Sequence, residues 1–492
     1  MQTQFFVRPV QGLIGWLGFG WLITIGWTQF GVGQETDPRA AALVVQQAIV
    51  EVVAEAETAV VAIARVKPEG EGPLAPGIPD AFIEPIDPTR PDFVPDHFGA
   101  GVVIDPQGLI LTTAHVVGDP MGWQYYVWSQ KRPYLAQVVA ADPWFDLAVL
   151  KIEAEGLAAI RWGDAETVQK GQFVLALGNP YAIARDGDPS VSWGVVANRD
   201  RPAPALPKPL ADAARRPTLH HFGTLLQTDL RLPVGYSGGA LLNLRGELIG
   251  LTTGYTGGPG FEQAAGLAIP VNAAFRRVVD ELKQGRRPEY GFLGIVPELL
   301  TTAARQQGQV GVQVGGVIPG TPAAVAGLQF GDRLTSLNGQ PLRDEQDVIR
   351  VVASLPPETV VQIEVVRSSR ESRPVKRSVV LTKRYATQPP YGTQPLSYWR
   401  GVLLDYSTAS PTFAVDGPNL DPQGCIYISE VLPDSPAWQA GLRSGLYITH
   451  VGTQRVTQLE ACRTALAGFG DRPTPLRVVT GRDQAQDLTV SP

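Results

Sequence analysis

The distribution of apolar and polar positions changes character three times along this chain. From Gly12 to Val32 nearly every residue is apolar, with Trp16, Trp21 and Trp27 inside the run and Arg8 before it. A polar stretch, Gln34 to Arg39, follows. Ala40 to Glu57 is rich in Ala and Val, with Glu51 and Glu55 one helical turn apart, and predicts a helix. From Thr58 the pattern becomes that of strands. Thr58–Val66 reads as the first; within Leu109–Val117 an apolar, β-prone run ends at His115; Asp146 opens the run Leu-Ala-Val-Leu-x-Ile. Two stretches break the strands. Residues 67–98 are Pro-rich and end in Asp96-His97-Phe98-Gly99, and residues 199–216 are rich in Pro, Ala and Arg; both read as inserted loops.

The third change is a repeat. Val317-Ile318-Pro319-Gly320-Thr321-Pro322-Ala323 leads through Gly327 to Asp332. Val431-Leu432-Pro433-Asp434-Ser435-Pro436-Ala437 leads through Gly441 to Leu446. Ser/Thr-Pro-Ala predicts a short helix, with the hydroxyl as cap and proline in the first turn. Gly327 and Gly441 predict its end. Each copy then predicts a strand closing on a glycine turn, Asp332–Gly339 and Tyr447–Gly452. Between the copies, Tyr385 to Leu396 carries Pro389, Pro390 and Pro395 and reads as a linker.

Composition sharpens this picture modestly. A length of 492 residues implies about three domains. The 53 glycines and 43 prolines fit β-structure with many turns. With 41 basic and 47 acidic residues and no basic block, nucleic acid is not an expected partner. No Cys/His cluster has metal-ligand spacing, so neither metal nor cofactor is expected. Cys425 and Cys462 read either as one disulfide or as two buried thiols. The N-terminal apolar run reads as a signal peptide, with Gly31 and Gly33 near a cleavage point, or as a retained inner-membrane anchor over residues 10–33. Both place the remainder outside the cytoplasm.

The candidate chemistry centres on Gly235-Tyr236-Ser237-Gly238-Gly239-Ala240-Leu241. Glycines around a serine allow a sharp turn and close substrate approach. They also let the N–H groups of Gly235 and Ser237 point at one oxygen, as an oxyanion hole requires. Such a segment also occurs in ordinary hairpin turns. His115, in the small-residue setting Thr113-Ala114-His115, supplies a candidate general base held at a strand end. Asp146, at the mouth of a buried strand, needs a hydrogen-bond partner, and a histidine N–H would serve while fixing the imidazole tautomer. Asp142 fits a turn or strand-end cap better. The order His115, Asp146, Ser237 matches chymotrypsin-like peptidases and differs from subtilisin and the α/β-hydrolases.

The wording around these residues resembles the HtrA/Deg family of serine proteases. The likeness is carried by Gly101–Gly108 leading into Thr113–Val117, Asp146–Ile152, Leu177-Gly178-Asn179-Pro180, Gln227-Thr228-Asp229, Asn243–Gly250 and Gly266–Pro270. The repeat resembles PDZ domains of the HtrA type. The resemblance implies a mainly β protein: a chymotrypsin-like double β-barrel followed by two PDZ-like α/β modules. Its segments would be 1–36 leader or anchor with linker, 37–285 protease, 286–384 first PDZ domain, 385–396 linker and 397–492 second PDZ-like domain. His115, Asp146 and Ser237 would be catalytic, with Gly235 and Ser237 forming the oxyanion hole. Gly291, Phe292, Leu293 and Gly294 would hold a peptide carboxylate in the first PDZ domain, and Arg400, Gly401 and Val402 a peptide in the second. The implied activity is ATP-independent cleavage of unfolded or damaged exported proteins in the periplasm or cell envelope. The implied partners are such substrates, peptide C-termini and further copies in a trimer-based homo-oligomer. An apolar P1 pocket is expected from Leu230, Leu232, Pro233 and Val234. The family usually has Asn before the serine and Pro after the two glycines, where this chain has Tyr236 and Ala240. A tyrosine in the oxyanion loop is the ground for an alternative, a non-cleaving peptide-binding chaperone or scaffold.

Overall fold

The computed structural model describes residues 38–67, 87, 90, 93–179, 188–204, 217–254, 265–367, 374–417, 420, 424–480 and 484–492. The N-terminal apolar run, most of the 67–98 insertion and residues 205–216 of the second insertion lie outside the described residues. Among the described residues, no helix is long and apolar enough to cross a membrane.

A helix, Pro38–Ala56, opens the described chain, close to the span predicted. Strands β1 (Val60–Val66), β2 (His97–Asp105), β3 (Leu109–Thr112), β4 (Gln124–Ser129), β5 (Arg132–Asp142) and β6 (Leu147–Ile152) form an antiparallel sheet. It closes into a six-stranded barrel because β5 pairs with both β4 and β6. After the short strand β7 (Arg161–Trp162), a second closed barrel follows. Its strands are β8 (Phe173–Gly178), β9 (Ser190–Arg201), β10 (Leu225–Thr228), β11 (Ala240–Asn243), β12 (Glu247–Thr253) and β13 (Gly266–Pro270), with β11–β12 closing it.

The near-continuous apolar runs have a direct cause, because both faces of these strands are buried. Successive side chains point to opposite faces. Val61, Ile63, Val103, Ile110, Leu150 and Ile152 fill the first barrel, and Val174, Ala176, Leu241, Ile249 and Ala268 fill the second. Their neighbours Val60, Val102, Leu111, Val149, Leu175, Leu177, Ala240 and Leu242 face outward into a shared seam. The helix Ala273–Lys283 seals that seam with Phe275, Val278, Val279 and Leu282.

The C-terminal half holds two sheets of identical strand order. The first comprises β15 (Ile295–Leu299), β16 (Val312–Val317), β17 (Arg333–Leu337), β19 (Val360–Val366) and β20 (Val375–Val380), with β18 (Gln340–Pro341) on β17; β14 (Gly291–Phe292) pairs with β21 (Thr382–Lys383). The second comprises β23 (Val402–Tyr406), β24 (Ile426–Val431), β25 (Tyr447–Val451), β27 (Thr474–Val479) and β28 (Ala485–Val490), with β26 (Gln454–Arg455) on β25. The repeated helices are Pro322–Val325 and Pro436–Gln439. Ser435 caps its helix through the Trp438 N–H at 3.2 Å, as expected. Thr321 does not: its hydroxyl donates to the Ile318 carbonyl instead, at 2.6 Å. Cys425 and Cys462 are unbonded and buried in different apolar clusters, which decides between the two readings left open.

The linker between the two copies is more than a spacer. Its residues Tyr391–Gly392 form β22, which pairs antiparallel with Ala141 and Ala140 of β5. Beside it, the Thr393 N–H donates to the Val139 carbonyl at 3.1 Å and the Gln394 N–H to the Gly285 carbonyl at 2.9 Å.

Candidate active site

The two barrels meet where the three singled-out residues stand. β3 ends at Thr112, and the chain turns at once into the one-turn helix Ala114–Val117. His115 therefore sits in a helical turn, not at a strand end as its setting had suggested. Asp146 is the last residue of the loop between β5 and β6. Ser237 lies in the second barrel, between β10 and β11. A backbone bond ties the halves together: the Ala100 N–H of β2 donates to the Ser237 carbonyl at 2.8 Å.

His115 Nδ1 lies 2.8 Å from Asp146 Oδ2 and 3.0 Å from Oδ1. The His115 backbone N–H also donates to Oδ1 at 3.0 Å, and Thr253 Oγ1 donates to Oδ2 at 3.4 Å. The Asp146 side chain is 6% exposed, whereas that of His115 is 41% exposed and open to a reactant. Burial pushes the Asp146 carboxyl upward and is the largest single influence. The His115 charge and hydrogen bonds together outweigh it, so the carboxyl is held below its usual range.

The serine loop turns on two glycines in the left-handed region. Gly235 has φ of 103°, and a Cβ there would collide with the Asn179 carbonyl oxygen. Gly238 has φ of 86°, with the Ala100 carbonyl and Thr112 Oγ1 occupying the space of a side chain. The Tyr236 N–H donates to the Pro233 carbonyl at 3.2 Å, and the Gly238 N–H to the Thr252 carbonyl at 2.8 Å. Among the described residues, none accepts from the N–H of Gly235 or Ser237, so both donors remain open. Ser237 Oγ accepts from the Gly254 N–H at 2.9 Å. The Tyr236 side chain leaves the site altogether. Its ring is buried against Gly178 with the apolar residues of the second barrel, and its hydroxyl donates to the Ser190 carbonyl at 3.0 Å. Leu230 and Leu232 belong to the same core, while Val234 is exposed.

The two loops expected to bind peptide share a frame, with Gly294 and Gly401 both at φ of 90°. In the first, the Gly291 N–H donates to Leu355 O at 2.7 Å, Phe292 pairs with Thr382, and Gly294 has φ of 90°. No described residue accepts from the N–H of Leu293 or Gly294. In the second, Trp399 and Val402 exchange N–H···O bonds of 2.9 and 2.8 Å, Gly401 has φ of 90°, and no described residue accepts from the N–H of Arg400 or Gly401. The Arg400 guanidinium donates to the Val490 carbonyl at 2.8 Å and to the Arg472 carbonyl at 2.9 Å.

Several neighbours of the site carried no signal in the sequence. Thr253, Gly254 and His220, whose Nε2 lies 2.8 Å from the Phe145 carbonyl, are brought in only by tertiary pairing.

Two closed six-stranded barrels, the first carrying the His115–Asp146 pair and the second Ser237, define the chymotrypsin-like class of serine peptidase. Residues 99–251 match the trypsin-like peptidase domain family, and residues 313–367 and 427–480 match the PDZ domain family. The chain is 33% identical over 367 residues to the DegP-like periplasmic serine endoprotease of Pseudomonas fulva, covering 73% of this chain and 71% of that one. It is 31% identical over 431 residues to that of Ectopseudomonas mendocina, covering 82% and 85%. A solved structure of the HtrA-type protease AlgW with a tripeptide superposes with a TM-score of 0.52 at 26% identity, covering 68% of this chain and 97% of that one. The chain belongs to the HtrA/DegP-like family of serine endoproteases, and it is a serine-type endopeptidase with PDZ domains.

Proposed function

We propose that Ser237 is the nucleophile, His115 the general base and Asp146 its orienting carboxylate. Acylation begins when Ser237 Oγ leaves the Gly254 N–H and turns to His115 Nε2. The Oγ–C bond forms as the proton passes to Nε2, and the developing oxyanion is bound by the N–H groups of Gly235 and Ser237. His115 then returns the proton to the departing amine, and water assisted by His115 releases the acyl group. Catalytic hydrogen bonds of this kind are often made only once substrate binds. The observation that carries this reading is the Nδ1–carboxylate contact of 2.8 Å facing a serine loop whose two N–H donors are open. The inward Tyr236 ring supports cleavage over a non-cleaving scaffold.

The substrates in this reading are unfolded or damaged proteins in the periplasm, the location named for the relatives. Cleavage needs no ATP and follows apolar P1 residues, and the copies assemble on a trimer. The Leu293–Gly294 donors of the first PDZ domain receive a peptide carboxylate, and the corresponding Arg400–Gly401 donors do so in the second. Wild-type protein is expected to cleave casein and to be labelled by a serine-directed phosphonate. Ser237→Ala is expected to lose both, with cleavage at least about 10³-fold slower. A wild type inert in both assays would defeat the proposal.

A further inference from the structure

Asp146 occupies an unusual backbone state. Its φ is 54°, in the left-handed region that residues other than glycine seldom enter. The loop before it is held through Asp142, Trp144 and Phe145. Asp142 Oδ1 accepts from the Trp144 N–H and Oδ2 from the Phe145 N–H, each at 3.2 Å. The Tyr290 hydroxyl also donates to Oδ2. The Trp144 carbonyl accepts from the Leu219 N–H at 2.9 Å, and the Phe145 carbonyl faces His220 Nε2 at 2.8 Å. Every backbone polar group of Trp144 and Phe145 is therefore tied.

The junction is buried, with Asp142 1% and Tyr290 6% exposed. It lies outside the serine, histidine and oxyanion groups, and Tyr290 comes from the segment leading into β14, well beyond the match to the peptidase family. The Tyr290 ring stacks on Phe145 with centroids 6.5 Å apart and planes at 15°, and meets Trp144 edge-on at 6.4 Å. Trp144 Nε1 donates to the Ala353 carbonyl at 3.2 Å. The charged and titratable groups facing the junction are Arg277 over the Tyr290 ring at 5.4 Å, Arg384 over the Trp144 ring at 3.6 Å, Glu281 beside Arg277 and His220. No ion pair reaches Asp142 among the described residues, so its three donors are its only direct partners.

We infer that Asp142 and Tyr290 are positioning residues for the reaction: a buried carboxylate that gathers the Trp144 N–H, the Phe145 N–H and the Tyr290 hydroxyl fixes the loop that presents Asp146 to His115. The inference rests on the reading of Asp146 as the orienting carboxylate. It makes a residue of the PDZ-proximal chain part of the support of the active site.

The test is steady-state casein cleavage by the full chain carrying Tyr290→Phe, Asp142→Asn, Asp146→Asn, and the pair Tyr290→Phe with Asp146→Asn. Tyr290→Phe keeps the ring stack and removes only the donor. Its kcat is expected to fall roughly tenfold with KM within about twofold. Asp142→Asn is expected to behave likewise. Because Tyr290 acts through Asp146, the double variant is expected to be no slower than Asp146→Asn alone. In protein with ¹⁵N-labelled histidine, the His115 Nδ1 proton resonance is expected to move in Tyr290→Phe. This readout holds even where turnover is too slow to measure. Unchanged kcat and an unmoved resonance in Tyr290→Phe would overturn the inference, as would full additivity in the double variant. Wild-type kcat in Asp146→Asn would instead overturn the triad reading, and this inference with it.

Discussion

Tyr236 shows how a residue beside the nucleophile can serve the fold instead of the chemistry. Its backbone N–H and carbonyl set the turn, while the ring fills the second barrel and the hydroxyl reaches Ser190. Tyr236→Phe removes one buried hydrogen bond, so a loss of about 1 kcal/mol in stability is expected with the cleavage rate kept within about twofold. Thermal denaturation and casein cleavage check the two halves. A large fall in rate with stability intact would mean that the hydroxyl acts on the oxyanion loop. The residue scale is also where the sequence was most legible. His115, Asp146 and Ser237 declare themselves by residue type, order and small-residue context, because their chemistry constrains their neighbours. The direction of the Tyr236 ring is not legible, since it depends on Gly178, which leaves the space that the ring occupies. Asp142 reads correctly as a turn residue, yet its link to Tyr290 spans 148 positions and leaves no local mark.

At the scale of elements, strands buried on both faces were visible as apolar runs, and the C-terminal repeat was visible as two Pro-Ala helices followed by strands. β22 was not visible. It is two residues long, sits among prolines, and exists only because β5 offers a free edge at Ala140 and Ala141. Its register depends on Gly392, where a Cβ would collide with the Gly285 carbonyl. Gly392→Val is therefore expected to detach the linker from the first barrel. The check is limited proteolysis by added thermolysin, with the Ser237→Ala background excluding self-cleavage. Faster cutting within 385–397 is expected, and an unchanged rate would mean that the pairing contributes little.

At the scale of the whole molecule, two buried groups on either side of Phe145 oppose each other in their response to acid. Burial lowers His220 to about 4 from 6.5, so the unfolded chain takes up a proton that the native state refuses. That lowers stability as pH falls from about 6.5 to 4. Burial raises Asp142 to about 6 from 3.8, so here the native state takes up the proton first, and stability rises as pH falls from about 6 to 4. Each effect amounts to roughly 3 kcal/mol at its limit, and over the shared window they largely cancel. Asp142→Asn is expected to uncover the His220 effect, with a melting temperature that declines more steeply than wild type between pH 6.5 and 4. Parallel curves would show that the pair does not set the acid response. The edge pairing of β22 has a consequence of another kind. The Thr393 hydroxyl and the Val139 carbonyl that it reaches are 254 positions apart. A chain delivered from its N-terminus can close its first barrel early, yet it cannot finish that barrel's outer edge until residue 393 has emerged. The outer edge of the first barrel is thus covered by a segment about four-fifths of the way along the chain, so this contact is among the last that a growing chain can make.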